Sequence, residues 1–169
     1  MRTSLRLAAV GAALAAASFA TSASAAATAT ATATAEVLSS LTLTADSALD
    51  FGLIAANTGG TVTVNADNTV SSTGGLVSTG TRVPAGFTVT GTNGASVVVT
   101  LPAAPVNLTR SGGTETMSLG GFNTNPVGAF QLSPTTGQAN FAVGGTLTVG
   151  SNQVAGVYSG TFNVSVEYQ

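Results

Sequence analysis

An all-β fold, a sandwich or a barrel of antiparallel strands, is what this sequence predicts, on three observations. Apolar and polar residues alternate with period two in many short stretches, and no stretch shows the 3.6-residue period of a helix. Gly, Asn, Asp and Pro punctuate those stretches at intervals of ~8–12 residues, the spacing of turns in sandwiches and barrels. Charged residues make up only 6% of the chain while hydrophobic residues make up 44%. Solvent-facing positions must therefore be polar through Thr, Ser, Asn and Gly.

The first 25 residues, MRTSLRLAAVGAALAAASFATSASA, stand apart. Arg2 and Arg6 precede an apolar run of about a dozen residues, and Ala23-Ser24-Ala25 supplies a small-residue cleavage site, the layout of a secretory signal. Cleavage after Ala25 is expected. The run is short for a membrane span of ~20 residues, and no later stretch is long or apolar enough for one. No Cys stands at the cleavage site to carry a lipid. The expected organisation is a signal peptide over 1–25, an Ala/Thr-rich extension over 26–35 and a β domain over 36–169.

Each later element has its own signature. SLTLTA (40–45) alternates. LDFGLIAA (49–56) is an apolar run closed by Asn57 and Gly59-Gly60. TVTVNA (61–66) alternates and stops at Asp67-Asn68. GFTVTGT (86–92) and ASVVVTL (95–101) flank Asn93-Gly94, a strong hairpin signal. Pro102 and Pro105 break the strand pattern. VNLTR (106–110) and ETMSLGGF (115–122) follow around Gly112-Gly113, and 123–138 reads as loop. NFAVGGTLTVG (140–150) keeps Phe141, Val143, Leu147 and Val149 in one phase, and its internal Gly144-Gly145 suggests a bend or bulge. The span 156–168 reads as a final strand. Gly156, Tyr158, Gly160, Phe162, Val164, Val166 and Tyr168 form one face; the other is polar except for Val157.

Composition narrows the function. Residues 26–169 hold two basic residues, Arg82 and Arg110, against six acidic ones, and no Lys, His, Cys or Trp. Nucleic acid is not an expected partner, because phosphate recognition needs clustered cations. Membrane insertion is not expected either. An outer-membrane barrel also alternates, but it carries aromatic girdles that this chain lacks. No catalytic, cofactor-binding or metal-ligating set is found. Without His or Cys no Ser-His or Cys-His pair can form. Asp46 and Asp50 read as caps at a strand boundary. NADNT (65–69) has the alternating Asn/Asp of a calcium loop without its Gly and distal Glu, and reads as a turn. NLT (107–109) and NVS (163–165) are weak matches to the glycosylation sequon. The expectation is a protein that is not an enzyme and has no cofactor.

The terminal pattern carries a resemblance. Alternation from Gly156, fourteenth from the end, to a penultimate Tyr168 resembles the C-terminal signature of chaperone–usher pilus subunits. LDFG (49–52) is similar to the early FG of spore-coat-protein-U-like domains, from which this chain departs in lacking cysteine. VGGTLTV (143–149) with GVYSGTFNVSVEYQ (156–169) identifies the chain as a member of a family of small proteobacterial secreted domains of unknown function, over roughly 36–169. The resemblance to pilus subunits implies an immunoglobulin-like sandwich lacking one strand, whose place another subunit's N-terminal extension fills. It implies copies of this chain or related subunits as partners, with a periplasmic chaperone and an outer-membrane usher, and a place in a surface fimbria. The acceptor face would comprise Gly156, Tyr158, Phe162, Val164, Val166 and Tyr168. The donor would be Ala27, Ala29, Ala31, Ala33, Ala35 and Val37, which share one strand face. Buried methyl-sized groups contribute roughly 0.8 kcal/mol each, against about 1.5–3 for a Val, Leu or Phe side chain. Such a donor relies on ladder hydrogen bonds, or starts near Val37. The alternative is a complete, self-contained secreted sandwich, an adhesin or matrix protein, that does not polymerise.

Overall fold

The structure, a computed structural model, describes residues 26–169; the expected signal peptide lies outside the described residues. Residues 26–35 belong to a separate unit from 36–169. They carry no strand and are exposed.

Every regular element of residues 36–169 is a β-strand, numbered here in chain order. The main sheet lays β1 (Thr42–Ser47), β6 (Ala85–Thr90), β11 (Gln138–Val149), β9 (Thr116–Asn125), β8 (Val106–Arg110) and β12 (Tyr158–Ser159) side by side. β3 (Gly60–Val64) joins this sheet on β11 and carries β4 (Val70–Ser72). A second sheet is β10 (Phe130–Gln131), β7 (Ser96–Thr100) and β13 (Ser165–Tyr168). A third is the pair β2 (Leu53–Ala56) and β5 (Leu76–Thr79). All pairings are antiparallel. The all-β, antiparallel, sandwich-like fold is as the alternation predicts.

β11 organises the whole. Phe141, Val143, Leu147 and Val149 all point inward and are almost fully buried, as their shared phase requires. One edge of β11 holds β6 over its first half and β3 over its second; the other holds β9. The first half packs, with Val89, against Val97 and Leu132. The second half packs, with Val62, Val64 and Leu119, against Phe51 and Leu76. Two core lobes result, and Leu49, Phe122 and Phe162 touch both. No polar or charged residue is buried among the described residues. The outer faces are joined by hydroxyl pairs instead of charges, such as Thr63–Thr146 at 2.9 Å and Thr61–Thr73 at 2.8 Å.

The glycine pair in β11 marks a bulge, and the extra residue lies on its neighbour. Gly144 pairs with Asn123 and Thr146 with Gly120, so Gly121 and Phe122 oppose Gly145 alone. Gly121 takes φ +57°. The added residue lets Leu119 and Phe122, three apart in sequence, both reach the core.

Three expectations are corrected. Asn93-Gly94 does make a turn, with Gly94 at φ +72° and the Ala95 N–H donating to Thr92 O at 3.2 Å. It does not make a hairpin. Both edges of β6 are taken, by β1 and β11, so the chain crosses the core and β7 enters the second sheet. Residues 123–138 are not all loop, because β9 runs to Asn125 and β10 follows. The run 49–56 is not one strand. Asp50 bridges to Val83, Phe51 turns into the core, and Gly52 at φ +69° redirects the chain before β2.

Candidate functional site

The predicted acceptor strand, 156–168, is divided between two sheets. Its first part is β12, on β8; its second is β13, on β7. Residues 160–164 between them pair with neither sheet as a strand. The sequence read here as continuous alternation is thus a crossing from one layer to the other, and its inward face holds from Phe162 onward, where Phe162, Val164, Val166 and Tyr168 pack on the core.

The six residues of that face therefore fall in two places. Phe162 meets Phe122 with ring centroids 5.1 Å apart. Phe162, Val164, Val166 and Tyr168 pack half-buried against the core lobe around Val97 and Leu132. The Tyr168 hydroxyl accepts from the Thr92 N–H and donates to Ser39 O, both at 2.7 Å, tying β13 to the entry of β1. Gly156 and Tyr158 lie elsewhere, at the wall of a groove. Arg110 lies across Gly156, where a Cβ would meet its Cγ and Cδ at 2.8 Å. The Tyr158 hydroxyl donates to Val154 O at 2.7 Å and accepts from the Gln153 amide at 2.8 Å, which fixes the 153–158 loop.

The groove has a volume of about 580 Å³ and runs between β2 and residues 153–158. Phe51, Leu108, Met117, Leu147 and Val149 line its interior, and Leu53, Val154 and Val157 its rim. Leu53 and Val157 are each 73% exposed. A shallower hollow of about 350 Å³ lies between Thr100–Pro102 and Thr161–Ser165. Both hollows follow the terminal segment along its course between the sheets.

The strands beside the groove have free edges. β12 pairs only with β8, and β2 only with β5, among the described residues. β13 likewise ends its sheet. Of the proposed donor residues, Ala27, Ala29, Ala31, Ala33 and Ala35 are exposed and carry no strand, and Val37 is also exposed.

The charges near this region are few. Arg110 pairs with Glu115 at 2.8 Å. The hydrogen bond from Arg110 holds the Glu115 carboxyl below its usual range and raises the guanidinium in turn. Asp46 accepts from the Thr88 hydroxyl at 2.7 Å and Asp50 from the Gly52 N–H at 2.8 Å, so each carboxylate is engaged in local structure. In NADNT, Asp67 accepts from the Thr69 N–H and hydroxyl, which lowers its pKa, and Asn68 takes φ +67°. That is the geometry of a turn between β3 and β4. No group of three or more metal-ligating side chains occurs among the described residues.

Sequence reasoning missed the β2 wall and the exposure of Leu53. The one signal available was LIAA itself, four apolar residues in a row on a two-stranded sheet that can bury only one face.

No curated protein and no solved structure matches the chain significantly. One protein family does, described as Domain of unknown function (DUF4402), and its match spans residues 41–168, nearly the whole β domain together with both walls of the groove. The chain belongs to that family.

Proposed function

We propose that this chain is a secreted structural subunit of a surface fimbria or pilus-like assembly. Its immunoglobulin-like sandwich is completed by a strand from another copy or a related subunit. A periplasmic chaperone would occupy the acceptor before assembly, and an outer-membrane usher would export the polymer. The observation that carries this reading is the free edge along the terminal segment: β12 and β13 each end a sheet, with apolar hollows beside them. A free, apolar-flanked edge is an association hazard unless a strand covers it. Added strands bind through main-chain hydrogen bonds and through pockets for alternate side chains. The exposed, unpaired Ala/Thr extension is the matching half.

A second reading, a self-contained secreted binding domain, draws on a different observation. Phe162, Val164, Val166 and Tyr168 already pack on the core, and no buried side-chain polar atom lacks a partner among the described residues.

Electron microscopy of the chain with and without residues 26–35 separates the two: the first reading expects filaments only when the segment is present, the second expects none from either. On the first reading the deletion variant still folds and takes up a donor peptide. Filaments of normal length from the deletion variant would reject the donor role of this segment.

A further inference from the structure

Asn93-Gly94 is a strong sequence signal that the proposed function leaves unused. Of the asparagines in the chain, Asn93 alone precedes a glycine. That order permits a reaction within the chain. The Gly94 nitrogen can close a succinimide ring on the side-chain carbonyl carbon of Asn93. A Cβ on the following residue crowds this approach, and glycine has none.

The turn presents the pair openly. Thr92 O accepts from the Ala95 N–H at 3.2 Å, and Gly94 takes φ +72°, the conformation a type II turn reserves for glycine at its third residue. Asn93 and Gly94 are both exposed. Two hydrogen bonds restrain the reacting groups, and both are long. The Gly94 N–H donates to Ser133 O at 3.3 Å, and the Asn93 amide donates to Thr135 O at 3.4 Å. Bonds beyond the usual N–H···O range hold weakly. Asn123, by contrast, accepts from the Ala66 N–H at 2.7 Å.

We propose that Asn93 is a site of spontaneous modification in the folded protein, converting to aspartate and isoaspartate, and that the change loosens the tie between β1 and β13. The Gly94 N–H gives its proton to hydroxide, and its nitrogen bonds to Cγ of Asn93. The Cγ–Nδ2 bond breaks and ammonia leaves. Water then adds to one of the two ring carbonyls. Opening on one side leaves aspartate; opening on the other leaves isoaspartate, with the side-chain methylene now part of the main chain. The net change consumes one water and releases one ammonia.

Position gives the change its consequence. The neighbouring Thr92 donates its N–H to the Tyr168 hydroxyl, and its own hydroxyl accepts from the Ser39 N–H, both at 2.7 Å. Asn93 therefore adjoins the junction that fastens the entry of β1 to the end of β13. Isoaspartate lengthens the main chain inside the turn that Thr92 begins. Both products also set a carboxylate oxygen where an amide N–H met Thr135 O, two acceptors with no proton between them.

The purified chain, kept folded in mildly alkaline buffer, is sampled over time by peptide mapping with isoaspartate labelling. Acid at position 93, isoaspartate included, should accumulate ahead of acid at any other asparagine. Asn93→Gln keeps an amide but closes the ring far less readily. Gly94→Ala restores the crowding Cβ and has room for it, the nearest atoms being those of Pro134 at 3.9 Å. Both variants should suppress the product. Amide exchange at Ser39 and Ala95 should quicken in the aged native chain and not in the aged Asn93→Gln chain. Asn93 unmodified in the folded chain, with modification confined to the denatured chain, would overturn the site. Product at 93 with unchanged exchange at Ser39 would overturn the loosening of the tie.

Discussion

Tyr168 joins three separate parts of the chain at one oxygen. Its hydroxyl donates to Ser39 O and accepts from the Thr92 N–H, so removing it strands one donor and one acceptor. Tyr168→Phe should cost about 1–2 kcal/mol, the range for a lost hydrogen bond that leaves its partners behind. Amide exchange over residues 39–41 should quicken; unchanged exchange there would show that the hydroxyl does not hold the β1 entry. The inward direction of Tyr168 is legible in the alternation from Gly156, as is that of Phe162, with Asn163 outside. Full burial of a Phe makes its truncation cost ~3–5 kcal/mol. Phe162 is half-buried, so Phe162→Ala should cost about 2–3 kcal/mol, while Asn163→Ala should stay within about 0.5. Equal effects in a denaturant titration would refute this register. The partners of the Tyr168 hydroxyl were not legible, because Thr92 and Ser39 lie 76 and 129 residues away and no local pattern encodes them.

Strands were legible wherever one face is buried and the other wet, as in TVTV (61–64) and NFAV (140–143). Partners were not. The turn residues at Asn93-Gly94 specify a reversal, but the edges of β6 were already occupied, and that depends on β1 and β11 far away in sequence. The glycine pairs were legible as bends, and the close packing around them explains why. A Cβ on Gly144 would run into the Val64 carbonyl and the backbone of Asn65–Ala66. Gly144→Ala should therefore cost at least about 2–3 kcal/mol, at the upper end for overpacking. Gly128 has open space around it but φ +78°, so Gly128→Ala should cost only about 1 kcal/mol, the penalty of the left-handed region. If the two variants melt alike, backbone approach does not constrain β11.

At the scale of the molecule, the all-β class followed from period-two alternation and turn spacing, and the scarcity of charge matches a core with no buried polar residue among the described residues. What local pattern could not show is that the terminal segment changes sheets, which turns one expected acceptor strand into two short edges with a hollow beside each. The account's central claim is that these edges are covered by another copy of the chain. Sedimentation velocity of the purified chain over a wide concentration range tests it most directly. The account predicts a concentration-dependent series of multimers built from folded subunits. A single boundary of folded monomer at every concentration would contradict it.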